Sequence, residues 1–209
     1  MAHYFEENPT TPSEQREIEA RFHGIDFFFR TDSSVFSKRQ IDFGTKLLLD
    51  TAISDLFTRC VKKARLLDLG CGYGVVGVVM KRVFPAYDVT MADINQRALG
   101  LAGDNAKANH CPFITKVSSD AWSNIPDAFD VVLTNPPVRA GKKTVFAFYD
   151  GAFEHLDKGG RLYVVLQKKQ GAPSSLAHLK ELFGNCEVIA KDAGYWIMLA
   201  IKTDTKASE

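Results

Sequence analysis

The sequence predicts an α/β fold: a mostly parallel seven-stranded sheet with helices on both faces and an antiparallel last strand. Three observations carry that expectation. From Lys63 onward, short apolar runs alternate with stretches of helical periodicity, the pattern of repeated strand–helix–strand units. The first of these runs closes on a glycine-rich turn, Asp68-Leu69-Gly70-Cys71-Gly72-Tyr73-Gly74, and a later one closes on Asn135-Pro136-Pro137. The last two runs are joined only by Asp192-Ala193-Gly194, a link long enough for a hairpin and too short for a helical crossover, so the final strand runs against its neighbours.

In chain order, residues 1–24 are polar, carry Pro9 and Pro12, and read as an N-terminal arm in which Ser13 and Glu14 can open a short helix. Residues 25–209 form the main domain and begin with a hairpin and helix of lid size over residues 25–60. There, apolar residues 25–30 and 35–36 flank the turn formers Thr31-Asp32-Ser33-Ser34, and a helix follows near residues 42–57. The regular pattern then gives strand 64–69, helix 74–84, strand 87–92, helix 96–109, strand 115–118 and strand 129–134. A helix around 144–156, strand 161–166, a helix around 174–182 and the closing strands 187–191 and 195–201 complete it.

Composition narrows the function. A chain of 209 residues with 45% hydrophobic content can bury one large core without metal or disulfide support. A formal charge of +1 excludes a strongly basic coat for a nucleic acid, so any such contact comes from a local patch. Cys60, Cys71, Cys111 and Cys186 are widely separated, with no C-x-x-C pair and no zinc spacing, which points to reduced thiols and no metal. No apolar run reaches the ~18 residues of a membrane span and the N-terminus lacks the regions of a signal peptide, so the expected location is the cytoplasm.

The two turns carry the chemistry. Proline cannot continue a central ladder, fixes its own φ and holds the preceding residue extended. The Asn135 side chain and the carbonyls of Asn135 and Pro136 can therefore converge on one point beyond the strand, which suits a planar amino group. The glycine turn is less specific, because Gly72-Tyr73-Gly74-Val75-Val76-Gly77 also matches G-x-G-x-x-G, with Asp93 about 20 residues beyond Gly72 as a dinucleotide ribose ligand would be. NAD remains open on that match alone. The additional Gly70 after acidic Asp68, the Asn-Pro-Pro terminus and the closing hairpin weigh against it.

Together these motifs resemble the Rossmann-like class I S-adenosylmethionine-dependent amino-methyltransferases, over residues 61–202. On that resemblance Gly70, Gly72 and Gly74 admit the amino-acid end of the cofactor, with Cys71 as a small loop residue between them. Asp68 faces the cofactor's ammonium and Asp93 accepts from its ribose hydroxyls. Ile94 covers the adenine, and Asp120 with the Ala121 backbone binds the adenine amino group. Helix or turn capping is the plainer role for Asp93 and Asp120. Asn135, Pro136 and Pro137 would hold the acceptor amine, directing its lone pair at the methyl group.

Val138 follows where many adenine, cytosine and glutamine methyltransferases carry an aromatic residue, and valine cannot stack. The stretches Asn135 to Lys142 and Val35 to Thr45 look like the RsmC-type small-subunit (16S) rRNA guanine-N2 methyltransferases, in a short single-domain form. The resemblance implies structured rRNA or the small ribosomal subunit as partner, Phe36 and Val138 at the base, and a basic rim of Arg39, Arg139 and Lys142, joined by Lys38, Lys143, Lys168 and Lys169. Phe36 is equally a core residue by type, and the lysines are equally a solvated surface. Another amino acceptor, or a catalytically silent RNA-binding module on the same fold, stays open at this stage.

Overall fold

The computed structural model describes residues 14–32, 40–111, 113–125 and 128–203. A two-stranded antiparallel sheet of β1 (Arg16–Phe22) and β2 (Ile25–Thr31) comes first. It is followed by α1 (Phe43–Thr58), β3 (Arg65–Leu69), α2 (Val75–Val83), β4 (Asp88–Asp93), α3 (Gln96–Ala108), β5 (Thr115–Ser118) and β6 (Phe129–Thr134). Then come α4 (Lys142–His155), β7 (Leu156–Gln167), α5 (Ala172–Phe183), β8 (Glu187–Asp192) and β9 (Tyr195–Ile201).

The main sheet has the order β5-β4-β3-β6-β7-β9-β8. Strands β3 to β7 pair in parallel, and β9 runs antiparallel to both β7 and β8. The reversed strand is thus interior, with β5 and β8 at the edges. The central strands read as unbroken apolar runs because both faces are covered. Leu66, Val131, Leu133, Tyr163 and Val165 join one core with residues of α1, α2 and α3, while their alternates Leu67, Val132, Leu162 and Val164 join a second core with α4 and α5.

The N-terminal region departs from expectation. The described part of the arm is not helical: Arg16–Phe22 is a strand whose inward residues Ile18 and Phe22 alternate with charged outward ones. Its partner is β2, through a two-residue turn at His23 (φ 47°) and Gly24 (φ 80°), both in the left-handed region as a type I′ hairpin turn needs. The hairpin among the described residues thus turns just before Ile25, while Ser33 and Ser34 of the expected turn and its second arm at 35–36 lie outside the described residues. Two asparagines on one face of α3 dock the free edge of β2. Asn109 accepts from Phe28 N (3.0 Å) and donates to Phe28 O (2.7 Å), and Asn105 accepts from Arg30 N (2.7 Å) and donates to Arg30 O (2.8 Å). Asn105 also donates to Tyr73 O (2.8 Å), which ties the hairpin to the glycine turn.

Strand order reverses between β3 and β6, where open α/β sheets place ligands beyond the strand ends. Leu69 pairs with Thr134, and the Thr134 hydroxyl donates to Leu69 O (2.8 Å). Two motifs more than sixty residues apart in the chain thereby emerge side by side.

Candidate active site

A cavity of about 550 Å³ opens at this switch point, lined by both motifs and by residues from α1, β4, β7 and β9. In the half built on β3 and β4, Asp68 is 2% exposed, with Oδ2 accepting from Gly77 N in the first turns of α2 (2.8 Å). Its other oxygen has no partner among the described residues. Burial pushes this carboxyl up to about 7, the Gly77 N–H pulls it down and the Asp93 charge adds to the rise. A buried carboxylate with a free oxygen fits a cationic group such as an ammonium.

The glycine turn wraps over β4: Gly70 N and Cys71 N both donate to Ala92 O (2.8 and 3.0 Å), and Gly72 N donates to Asp93 Oδ2 (2.8 Å). Gly72, at φ +54°, has open space where a Cβ would stand, on the cavity side. Gly74 does a different job from the one expected of it. At φ +89° a Cβ there would lie 2.9 Å from Ala102 Cβ and 3.1 Å from Met91 Sδ, so its lack of a side chain serves packing beneath the turn, outside the cavity lining. Burial, with the charges of Asp93 and Asp68, pushes the Cys71 thiol well above its usual range, which leaves it a neutral thiol and no nucleophile. Gly74 N-caps α2 without a side-chain bond of its own, and Val75 and Val76 of the first turn line the cavity, so the positive end of the helix dipole lies there, where a carboxylate is welcome.

Asp93 accepts from Gly72 N and, through Oδ1, from Asn95 N (2.9 Å). Burial raises its carboxyl against the backbone N–H groups of Asn95, Gly72 and Ile94. These N–H groups leave the carboxylate spare acceptor capacity, which a diol requires. Ile94, Asp120 and Ala121 line the cavity farther along. Ala121 sits at φ 47°, unusual for alanine, in a turn held by Ser119, whose hydroxyl donates to Ala121 O (2.9 Å) and accepts from Asn124 N (3.1 Å).

In the other half, Asn135 leaves β6 into a tight turn. Pro137 (φ −74°, ψ 77°) makes an inverse γ-turn in which Val138 N donates to Pro136 O (2.8 Å). Pro136 lines the cavity, and its carbonyl has one lone pair already used. Asn135 Nδ2 donates to Asp42 Oδ2 (3.2 Å) and Thr45 Oγ1 (3.1 Å), while Oδ1 has no partner among the described residues.

Val138 and Arg139 also line the cavity, Arg139 with an exposed side chain. Lys142 and Lys143 are exposed and stand outside the lining, the Lys142 ammonium 4.9 Å above the Phe146 ring. Lys168 and Lys169 are exposed in a short 3-10 turn beside Gln167 and Gln170, which do line it. Phe36, Lys38 and Arg39 lie outside the described residues. Sequence reasoning gave no role to Asp42, Thr45 and Tyr195, all in the lining. The Asp42-x-x-Thr45 pattern at a helix start is the signal available, and by itself it marks only a helix boundary.

Comparison with known proteins agrees with this geometry. Residues 26–199 match the methyltransferase small domain family. The chain is 41% identical over 202 residues to the uncharacterized protein YbxB of Bacillus subtilis, covering 96% of this chain and 98% of that one. It is 33% identical over 184 residues to ribosomal RNA small subunit methyltransferase C of Hamiltonella defensa, covering 86% of this chain and 52% of the relative, so it spans about half of that longer protein. Among solved structures, the Thermus thermophilus 16S rRNA N2 G1207 methyltransferase RsmC, in complex with AdoMet and guanosine, superposes with a TM-score of 0.81 at 26% identity, covering 91% of this chain and 51% of that one. The chain belongs to the methyltransferase small domain family: it is an RsmC-like class I methyltransferase, and S-adenosylmethionine is its cofactor.

Proposed function

We propose that this protein methylates the exocyclic N2 amine of a guanine in small-subunit rRNA. The observation that carries the reading is the Asn135 amide, whose NH2 end is tied to Asp42 and Thr45 and whose oxygen is left for the cavity. An amine conjugated with a purine ring is a weak nucleophile. Accepting its N–H groups at Asn135 Oδ1 and the remaining lone pair of Pro136 O concentrates its electron pair away from the ring and offsets the positive charge that grows on nitrogen.

S-adenosylmethionine, when bound, supplies an electrophilic methyl group. Asp68 would neutralise its ammonium, the α2 N-terminus its carboxylate, Asp93 its ribose hydroxyls, and Ile94, Asp120 and Ala121 would enclose its base. Two of the relatives, the rRNA methyltransferase of Hamiltonella and the Thermus enzyme with guanosine, support guanine in rRNA as the acceptor. Arg139, in the cavity lining, would supply a cation for an rRNA phosphate, and an rRNA substrate implies activity in the cytoplasm.

Nucleoside mass spectrometry of small-subunit rRNA from cells with and without the protein tests the reading, with one N2-methylguanosine expected to disappear. Loss of a methylated adenine or cytosine instead would reassign the acceptor, and unchanged rRNA would remove it. In parallel, Asn135→Ala should bind cofactor normally and lose about 10²- to 10³-fold in kcat.

A further inference from the structure

We infer that Asp42 and Thr45, at the first turn of α1, are positioning residues that fix which end of the Asn135 amide meets the target amine. The inference rests on the reading of Asn135 as the acceptor of that amine's hydrogens. An asparagine amide has an acceptor end and a donor end of nearly equal shape, and only the acceptor end serves an amine. With nothing to orient it, Asn135 would also adopt the reversed state, its own NH2 facing the N–H groups it has to hold.

The contacts with α1 remove that freedom. Asp42, as a carboxylate, only accepts. It takes Gly44 N on Oδ1 (2.8 Å), Thr45 N on Oδ2 (3.3 Å) and the Thr45 hydroxyl, also on Oδ2. Because the single hydroxyl proton of Thr45 is committed to Asp42, the Thr45 oxygen can only accept from Asn135. Both neighbours therefore demand a donor, and Nδ2 meets them at 3.2 and 3.1 Å. The reversed amide would set Oδ1 against two acceptors in a part-buried contact, where an unmatched polar pair is costly.

Asp42 receives three donors, Thr45 N, the Thr45 hydroxyl and Asn135 Nδ2, on Oδ2, the oxygen that faces Asn135, and one, Gly44 N, on Oδ1, so Oδ2 has no lone pair left over. Its influence on the amine passes through Asn135.

A reciprocal exchange tests this. Asp42→Asn keeps a helix-capping acceptor but turns an NH2 toward Asn135. Asn135→Asp sets a second carboxylate against Asp42. The double exchange restores one donor facing one acceptor, with places reversed and an oxygen still left for the amine. The probes are small-subunit particles, and deproteinised small-subunit rRNA, from cells lacking the protein, with radiolabelled S-adenosylmethionine.

Asp42→Asn is expected to lose about 10- to 100-fold in kcat with little change in RNA KM or cofactor affinity. Asn135→Asp is expected to be inactive near about pH 8 and to regain activity toward about pH 6, as the paired carboxylates take up a shared proton. The double variant should exceed both single variants by about 10-fold or more near about pH 8 and lose that acid limb. Asp68, Cys71, Tyr73 and Asp93 on the cofactor side, Arg139 beside the proline turn and Tyr195 on β9 also line the cavity, and they are common to all four proteins. Burial and the charge of Asp42 together push the Tyr73 phenol up, so it stays neutral throughout this range.

A double variant no better than the worse single one, with a wild-type pH profile for Asn135→Asp, would reduce Asp42 to a helix cap and overturn the inference. Full activity of Asn135→Ala would instead overturn the reading beneath it. Carboxyl-carbon NMR titration of Asn135→Asp needs no substrate: an ordinary acid titration of both the introduced carboxyl and Asp42 would show that the two groups do not face each other, and overturns the inference whatever the activity. A raised titration in that variant, absent from the double exchange, supports it even if neither RNA probe is modified.

Discussion

Asp68→Asn separates what the buried carboxylate does for the cofactor from what it costs the fold. Folding takes Asp68 from an ordinary 3.8 to about 7 because the group is buried, with only the Gly77 N–H and no cation to stabilise its charge. Between those values the folded chain binds a proton that the unfolded chain has released. Stability from this group is therefore fully present below about pH 4 and is lost as pH rises through about 7. At about 1.4 kcal/mol per decade of proton affinity, the loss is on the order of 4 kcal/mol, an upper bound because cavity water relieves part of the burial. Asparagine keeps the acceptor for Gly77 N–H and carries no charge. The cofactor-free variant should match wild type near about pH 4.5 and melt several degrees higher near about pH 8, while binding S-adenosylmethionine more weakly there for want of a partner for its ammonium. Thermal melts across pH measure the first effect. Calorimetry in two buffers of different ionisation enthalpy measures a companion effect: wild type should release close to one proton on cofactor binding near about pH 6 and fewer near about pH 8, and the variant none from this site. Parallel melting curves for the two proteins over this range would show that Asp68 is ionised in the empty fold and would refute the reasoning.

Asp93→Ala removes a carboxylate that still has acceptor capacity to offer, and should weaken S-adenosylmethionine by about 1.5–3 kcal/mol in calorimetry, with no heat from NAD in either protein. Gly74→Ala meets Ala102 and Met91 at φ +89°, so a strained backbone (about 1–2 kcal/mol) and overpacking (about 1–3 kcal/mol) should add in chemical denaturation. Gly72→Ala, in open space at φ +54°, should show only the backbone cost of about 1–2 kcal/mol yet lose cofactor affinity. Arg139→Ala should raise the RNA KM and flatten its salt dependence by about one unit of log–log slope, whereas Lys142→Ala, whose ammonium rests over Phe146, should do so less. Equal slopes for all three proteins would make Arg139 ordinary surface charge.

The main sheet was legible because each central strand is buried on both faces and therefore spells itself as a continuous apolar run. Leu66 and Leu67, or Val131 and Val132, serve opposite cores, yet both are required to be apolar. The Asp192-Ala193-Gly194 link likewise left only an antiparallel closing strand, although its place inside the sheet, between β7 and β8, depends on pairing that a local reading does not contain. The β1–β2 hairpin was not legible for the complementary reason. Only one of its faces is buried, and the outward Glu17, Glu19 and Arg21 look like the charge mix of a helix start. Two of those charges pair across the strands, Glu17 with Arg30 (3.4 Å) and Arg21 with Asp26 (3.6 Å), and the edge is completed by Asn105 and Asn109, some eighty positions along the chain. The His23-Gly24 pair between alternating residues was the local sign of the turn.

The site divides along the same line. The candidates at strand ends, Asp68, Asp93 and Asn135, announce themselves because a polar residue closing an apolar run at a glycine or proline turn has few other reasons to be there. Residues that act through another residue do not. Asp42 caps α1 in the ordinary way, accepting from Gly44 N and Thr45 N, and although the stretch Val35 to Thr45 marks the family resemblance, the cap itself gives no sign of a contact with residue 135. Its second function exists only because α1 packs against β7 and β9 and brings the first turn of the helix beside the end of β6, a meeting of positions 42 and 135 decided by the whole sheet order. An Asn-Pro-Pro turn read from sequence is thus an acceptor that can point either way. The fold, by setting a carboxylate and a committed hydroxyl against its NH2 end, leaves its oxygen for the cavity.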